Sequence, residues 1–205
     1  MLQDKIAEVE AKIKDALDKR TEPKVTGDQV TILAVTKNHP AETLAAGLTE
    51  IGENRVQEAM HKQAVLPKGG HWHLIGHLQT NKAKHAVEHF DLIESVDSLK
   101  LLGHLEKAAA ELDKVQDVLL QINEAGEVQK SGFAPADFRA AVPELSQYPH
   151  IRVRGVMVIA QATDNVEETR PVFAAGYRDF LFLRDALHSD AVDILSMGMT
   201  HDYWI

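Results

Sequence analysis

The chain has 205 residues, 44% of them hydrophobic and 26% charged, with a formal net charge of −9 and no cysteine. Such a chain is long enough for one sizeable core and short for two, so a single domain over residues 1–205 is expected. Its charge repels phosphate backbones and no local basic patch opposes that, which excludes nucleic acid; no apolar stretch can span a bilayer, and no disulfide framework exists.

The start, Met1-Leu2-Gln3-Asp4-Lys5, lacks the basic-then-apolar order of a secretory signal, so a cytoplasmic location is expected. Leu2, Ile6, Val9, Ile13 and Leu17 recur at spacings of three and four, predicting one amphipathic helix that packs on something else. Beyond Pro23 and Gly27 the pattern turns to short β-branched runs: Val30 to Thr36, Glu50 to Gly52, His71 to Ile75, Leu92 to Val96, Val118 to Ile122, Val153 to Ile159 and Ala191 to Leu195. Between them lie helical patterns at Ala41 to Ala46, Arg55 to Leu66, Gln79 to His89, Ser98 to Leu112, Pro135 to Val142 and Val166 to Leu187. Strand and helix in strict alternation predict an α/β fold with right-handed crossovers and a parallel sheet. No glycine fingerprint follows the first strand, which removes the main support for a dinucleotide-binding sheet. The runs are one short of a (β/α)₈ barrel. The last residues, Tyr203-Trp204-Ile205, stand only a little way into a helix expected to begin at Thr200, and a lone first turn lacks the rest of the helix to hold it. A chain that continues into the missing eighth unit is therefore expected.

Lys37 closes the first apolar run and is followed at once by Asn38-His39-Pro40, which puts it at the carboxyl rim of the sheet, where α/β proteins place their chemistry. It reads either as a solvated lysine at a strand end or as a nucleophilic amine. Lys130 is the rival amine, but it lies in a polar loop after Gly126 with no apolar strand to fix it. At Leu195-Ser196-Met197-Gly198-Met199-Thr200 a strand end meets a glycine and then a helix start, an arrangement that offers backbone N–H groups and two hydroxyls to a phosphate. The plain alternative is a strand-to-helix turn with Thr200 as N-cap. A Schiff-base lysine and a phosphate cradle at one end of one barrel suggest pyridoxal phosphate. His71 with His73 and His85 with His89 each share a face and could hold zinc, but a structural site needs four ligands and no metal is expected.

Several stretches carry a more specific signal: Leu33 to Lys37, Ile51 to Glu58, His71 to Lys82, Gln129 to Gly132 and Leu195 to Thr200. Together, in this order, they resemble the pyridoxal phosphate homeostasis proteins, with the barrel domain of alanine racemase as a more distant relative. The resemblance implies a (β/α)₈ barrel of the alanine racemase N-terminal type with an extra N-terminal helix. It further implies an internal aldimine on Lys37, a phosphate held by Ser196, Gly198, Met199 and Thr200, and Asn54 and His77 lining the pocket. Members of that family continue into a strand resembling Val-Arg-Ile-Gly-Thr, which closes the barrel and puts an arginine near the pyridine nitrogen; nothing after Ile205 supplies it, so weaker retention of the cofactor is expected. The implied role is a monomeric carrier that buffers pyridoxal phosphate or delivers it to dependent apoenzymes. The alternative is a racemase or decarboxylase. Racemisation needs a second proton-transfer group facing Lys37, and none of Tyr148, Tyr177 and Tyr203 lies in a stretch that can be placed there. A class I aldolase acting on a phosphosugar would share the lysine and the phosphate loop, but would carry no chromophore.

Overall fold

The computed structural model describes residues 2–21, 25, 29–39, 48–66, 69–127 and 131–205; the helix expected at 41–46, and Gln129 and Lys130, lie outside them. The strands are β1 (Ala34–Val35), β2 (Glu50–Glu53), β3 (His71–Leu74), β4 (Leu92–Val96), β5 (Gln116–Ile122), β6 (Ile151–Val158) and β7 (Ile194–Ser196). Each pairs in parallel with the next, giving a seven-stranded sheet in chain order. The helices are α1 (Leu2–Asp18), α2 (Val56–Val65), α3 (Ala83–His89), α4 (Leu99–Glu111), α5 (Pro135–Ala141) and α6 (Arg170–Leu187). Short 3₁₀ turns at Thr80–Lys82 and Val166–Thr169 open α3 and α6, and a third at Val142–Gln147 follows α5. No helix among the described residues is long and apolar enough to cross a membrane.

The sheet is curled into a partial barrel. The Ser196 hydroxyl on β7 donates to Glu94 Oε2 on β4 at 2.5 Å. In a flat sheet with about 4.8 Å between neighbours, these strands would lie roughly 14 Å apart. Side-chain alternation then divides the strands into two faces. Outward-facing Ile51, Trp72, Leu74, Ile93, Val118, Leu120, Ile122, Val156 and Val158 form the main core with Ala59, Leu101, Leu102, Leu105, Phe138, Phe180 and Leu183 of the helices. Inward-facing Leu92, Leu119 and Met157 form a separate small cluster with Ile159 and Ile194. Each large side chain buried in this way contributes about 1.5–3 kcal/mol. Helix α1 keeps Ile6, Val9, Ile13 and Leu17 half-buried and sets Lys12 Nζ 4.7 Å from the Trp204 ring centroid, so it reaches the end of the chain.

Several boundaries differ from the apolar pattern, each for a physical reason. The run Val30 to Thr36 contributes only two residues to the sheet: among the described residues β1 is an edge strand that pairs as Ala34↔Ile51 and Val35↔Gly52. Strands β5 and β6 begin earlier than expected, at Gln116 and Ile151. Polar residues near their starts meet one another: Arg152 Nε lies 2.6 Å from Asp117 Oδ1, and Arg154 reaches Asp117 at 2.8 Å and also Asp193, before β7, at 2.7 Å. Strand β7 begins at Ile194, not Ala191, since Arg184 gathers Asp190 and the Val192 carbonyl into a turn at 2.6 and 2.7 Å.

Candidate functional site

Thr36 ends β1 facing outward: it is buried, its hydroxyl donates to Glu53 of β2, and its N–H donates to the Gly52 carbonyl at 3.0 Å. Lys37 comes next, in the turn at the carboxyl end of β1. The chain then reverses in a β-turn closed by His39 N–H to the Thr36 carbonyl at 2.9 Å, with Asn38 at φ 62°, a conformation that asparagine tolerates. Lys37 is exposed, and no carboxylate among the described residues pairs with its amine.

The peptide groups on either side of Lys37 are both held by α2. Lys62 Nζ donates to the Thr36 carbonyl at 2.7 Å, to Glu53 Oε1 at 2.5 Å and to Glu58 Oε1 at 2.9 Å. Glu58 Oε1 also accepts the Asn38 N–H at 2.8 Å. Burial would lower the Lys62 amine, but Glu53 and Glu58 hold it above its ordinary value. The hydrogen bond from Lys62, then that from the Asn38 backbone, hold Glu58 below the usual carboxylate range. Sequence reasoning missed this cluster; the Glu58–Lys62 spacing of four on a helix was its only local signal.

Asn54 directly follows Glu53 at the end of β2 and is half-buried. His77 stands exposed beyond β3, with Nδ1 3.1 Å from Asp97 Oδ2 and 3.0 Å from Ser131 Oγ. The carboxyl ends of β1, β2, β3 and β7 thus bring Lys37, Asn54, His77 and the Ser196 to Thr200 segment to one rim of the barrel.

That segment differs from the expected helix N-terminus. Residues 200–204 form a turn and not a regular helix, so the helix-dipole part of the expectation is not carried. Thr200 is not the cap: the buried carboxylate of Asp202 binds the Met199 N–H, while the Tyr203 N–H donates to the Met199 carbonyl at 3.1 Å. Gly198 has φ 90°, which favours glycine, and a Cβ there would press on Tyr203 Cα at 3.1 Å. Two expected phosphate donors are thus engaged within the protein, Met199 N–H by Asp202 and the Ser196 hydroxyl by Glu94. The N–H groups of Gly198, Thr200 and His201 have no partner among the described residues, and neither does the exposed Thr200 hydroxyl. An anion would fit those donors.

Below the rim, the histidine pair considered for zinc is taken up by carboxylates. His73 Nδ1 lies 2.6 Å from Glu94 Oε1 and its Nε2 2.8 Å from Glu50 Oε2, while His71 Nδ1 lies 2.9 Å from Glu50 Oε1. With Ser196 on Glu94 the chain of contacts joins β2, β3, β4 and β7. On α3, His85 meets Glu88 at 3.1 Å and His89 meets Gln63 at 2.8 Å. Among the described residues no group of three or more metal-ligating side chains forms. Burial would lower the His73 imidazole, yet Glu94 and then Glu50 hold it above 6.5; burial raises Glu50, but His73 and His71 hold it below 4.5. The sign follows from linkage: charged His73 contributes its full stability below pH 6.5 and loses it as pH rises through the higher folded value. Glu50 contributes above pH 4.5 and loses its share only as pH falls through its lowered folded value. The urea midpoint of the wild type should therefore fall as pH rises from 6.5 through the raised folded value of His73, and His73→Gln should flatten that limb. An unchanged alkaline fall in the variant would place its origin elsewhere.

Of the tyrosines, Tyr177 stacks on Phe180 of α6 and Tyr148 packs against the outer core, whereas Tyr203 lies against Gly198 and edge-on to Trp204 at 4.9 Å.

The sequence matches the alanine racemase N-terminal domain over residues 21–204. It is 39% identical to the pyridoxal phosphate homeostasis protein of Pseudomonas aeruginosa over 98% of this chain and 86% of that protein. Identity to the protein of the same description from Pasteurella multocida is 34%, over 98% of this chain and 88% of that one. Among solved structures, PipY of Synechococcus elongatus without PLP superposes with a TM-score of 0.83 at 38% identity, covering 99% of this chain and 91% of PipY. The form of PipY with PLP bound gives 0.75 at 40% identity, covering 93% and 91%.

Proposed function

This chain belongs to the pyridoxal phosphate homeostasis proteins, a family with the alanine racemase N-terminal fold, and we propose that it binds pyridoxal 5′-phosphate reversibly as a Schiff base on Lys37. Its role is to buffer or deliver the cofactor without turnover of its own. The observation that carries this reading is the exposed Lys37 at the carboxyl end of β1, free of any carboxylate among the described residues while both neighbouring peptide groups are tied down.

The bound cofactor would supply an aldehyde for the amine and a phosphate for anchoring. The chemistry asked of Lys37 is simple and balanced. Its neutral amine adds to the aldehyde carbon, a carbon–nitrogen double bond forms, and the carbonyl oxygen leaves as one water. Hydrolysis, or exchange with an incoming amine, reverses the step and frees Lys37. The unpartnered N–H groups of Gly198, Thr200 and His201, with the Thr200 hydroxyl, would hold the phosphate, the flanking Ser196 and Met199 shaping the turn through Glu94 and Asp202. Asn54 at the end of β2 and His77 on the rim would line the pocket. The single barrel unit would act as a monomer in the cytoplasm, handing cofactor to dependent apoenzymes.

The test is the absorbance spectrum of the purified protein with pyridoxal phosphate, before and after borohydride reduction, for the wild type and Lys37→Ala. A visible band made irreversible by reduction is expected in the wild type and absent in the variant. Retention of the band by Lys37→Ala would move the site elsewhere. Steady racemisation or decarboxylation of an amino acid would replace the carrier by an enzyme.

A further inference from the structure

We infer that Glu58 and Lys62 on α2, the latter buried against Glu53, are the positioning device of Lys37: they fix the backbone on both sides of that residue and leave its side chain free. The inference rests on the reading of Lys37 as the condensing amine.

The Lys62 side chain is 6% exposed and that of Glu53 0%, so both charges have been taken out of water. A pair so buried is commonly no more stabilising than well-packed apolar side chains of the same volume. Its presence here therefore calls for a role that apolar side chains could not fill. The hydrogen bonds supply one. Lys62 Nζ holds the carbonyl just before Lys37 at 2.7 Å, and Glu58 holds the N–H just after it at 2.8 Å. Glu58 and Lys62 are themselves joined at 2.9 Å and sit one turn apart on the same helix. Carbonyl and N–H thus refer to one rigid element. Without them the turn would be closed only by its His39 to Thr36 bond, on an edge strand of two residues. An amine that must meet an aldehyde held from the opposite edge, at β7, gains from such fixation, because small misplacements of a reacting group are costly. Glu58, Lys62 and Glu53 touch no reacting atom in this scheme; they are positioning residues.

The decisive variants are at Glu58, whose side chain is 24% exposed and whose loss leaves Lys62 paired with Glu53. Glu58→Ala removes the acceptor for the Asn38 N–H, while Glu58→Gln keeps a carbonyl oxygen in its place. Pyridoxal phosphate is titrated into wild type, both variants and Lys37→Ala, below the melting midpoint of each. The visible band gives the affinity, and borohydride trapping followed by peptide mapping gives the fraction attached to Lys37. Glu58→Ala should weaken retention about tenfold, and Glu58→Gln should restore it to within about twofold of the wild type. Equal retention by Glu58→Ala and the wild type, with Lys37→Ala devoid of the band, would overturn the positioning role while leaving the Lys37 reading intact. Equal loss in both Glu58 variants would also overturn it, since the effect would then follow charge and not the held N–H. A band that survives in Lys37→Ala would instead overturn the Lys37 reading, and the device with it.

Discussion

Replacing Lys62 with methionine is expected to destabilise the protein by about 3–5 kcal/mol, the usual cost of removing one partner from a buried ion pair. The mechanism is specific to Glu53. Its carboxylate is fully buried, Lys62 and the Thr36 hydroxyl both bind its Oε1, and its Oε2 has no partner among the described residues. Without Lys62 that carboxylate keeps one hydroxyl against its full desolvation penalty. One further measurement identifies the cause. Adding Glu53→Gln to Lys62→Met should recover more than about 1 kcal/mol by removing the unpaired charge. A loss below about 1 kcal/mol at neutral pH, or no recovery in the double variant, would show that the pair is not buried as described.

Gly155→Ala is expected to be of comparable severity, about 3 kcal/mol or more, and to act on the opposite edge of the barrel. Gly155 has φ 152°, and a Cβ there would overlap the carbonyl oxygen of Ile194. Both obstacles are backbone, so no change of rotamer relieves them. Gly155 opens the pairing of β6 with β7, which continues as Val156↔Leu195 and Met157↔Ser196. Strand β7 has three residues and no second neighbour among the described residues, so loss of this register removes the support of the Ser196 to Thr200 turn and of the Ser196–Glu94 link. Hydrogen exchange should show the amides of 194–196 opening well before those of β5. Gly103→Ala serves as the control: it lies within α4 with nothing within 4 Å of its added Cβ, and should stabilise by about 0.5–1 kcal/mol. Equal melting midpoints for Gly155→Ala and the wild type would mean that β7 is not held as described.

The two lysines beside the rim show how far local pattern reaches. The position of Lys37 at the end of β1 was legible because what places it is adjacent: an apolar run sets the strand and the turn at Asn38 and His39 ends it. Lys62 was not, because in sequence it is one more charge on an amphipathic helix. Only when α2 lies on β1 and β2 does its side chain reach Thr36 and Glu53, the first of them 26 residues away. The histidines of β3 behave in the same way. Their spacing put them on one face, but their partners, Glu50 and Glu94, come from neighbouring strands 21 to 23 residues off.

The glycine and hydroxyls of the Ser196 to Thr200 turn were legible in the sequence, but its internal hydrogen bonds were not. Ser196 gives its proton to Glu94, 102 residues earlier in the chain, and Asp202 takes the Met199 N–H in a turn where a helix was expected. The alternation of strand and helix, the parallel sheet and the positions of Lys37 and Gly198 follow from short-range hydrophobic period and backbone conformation, which neighbouring residues impose on one another. Which polar groups are spent on internal hydrogen bonds, and which are left for a ligand, depends on how the sheet curls. Burial makes each buried donor seek an acceptor, and the curl brings those acceptors from strands far apart in the chain.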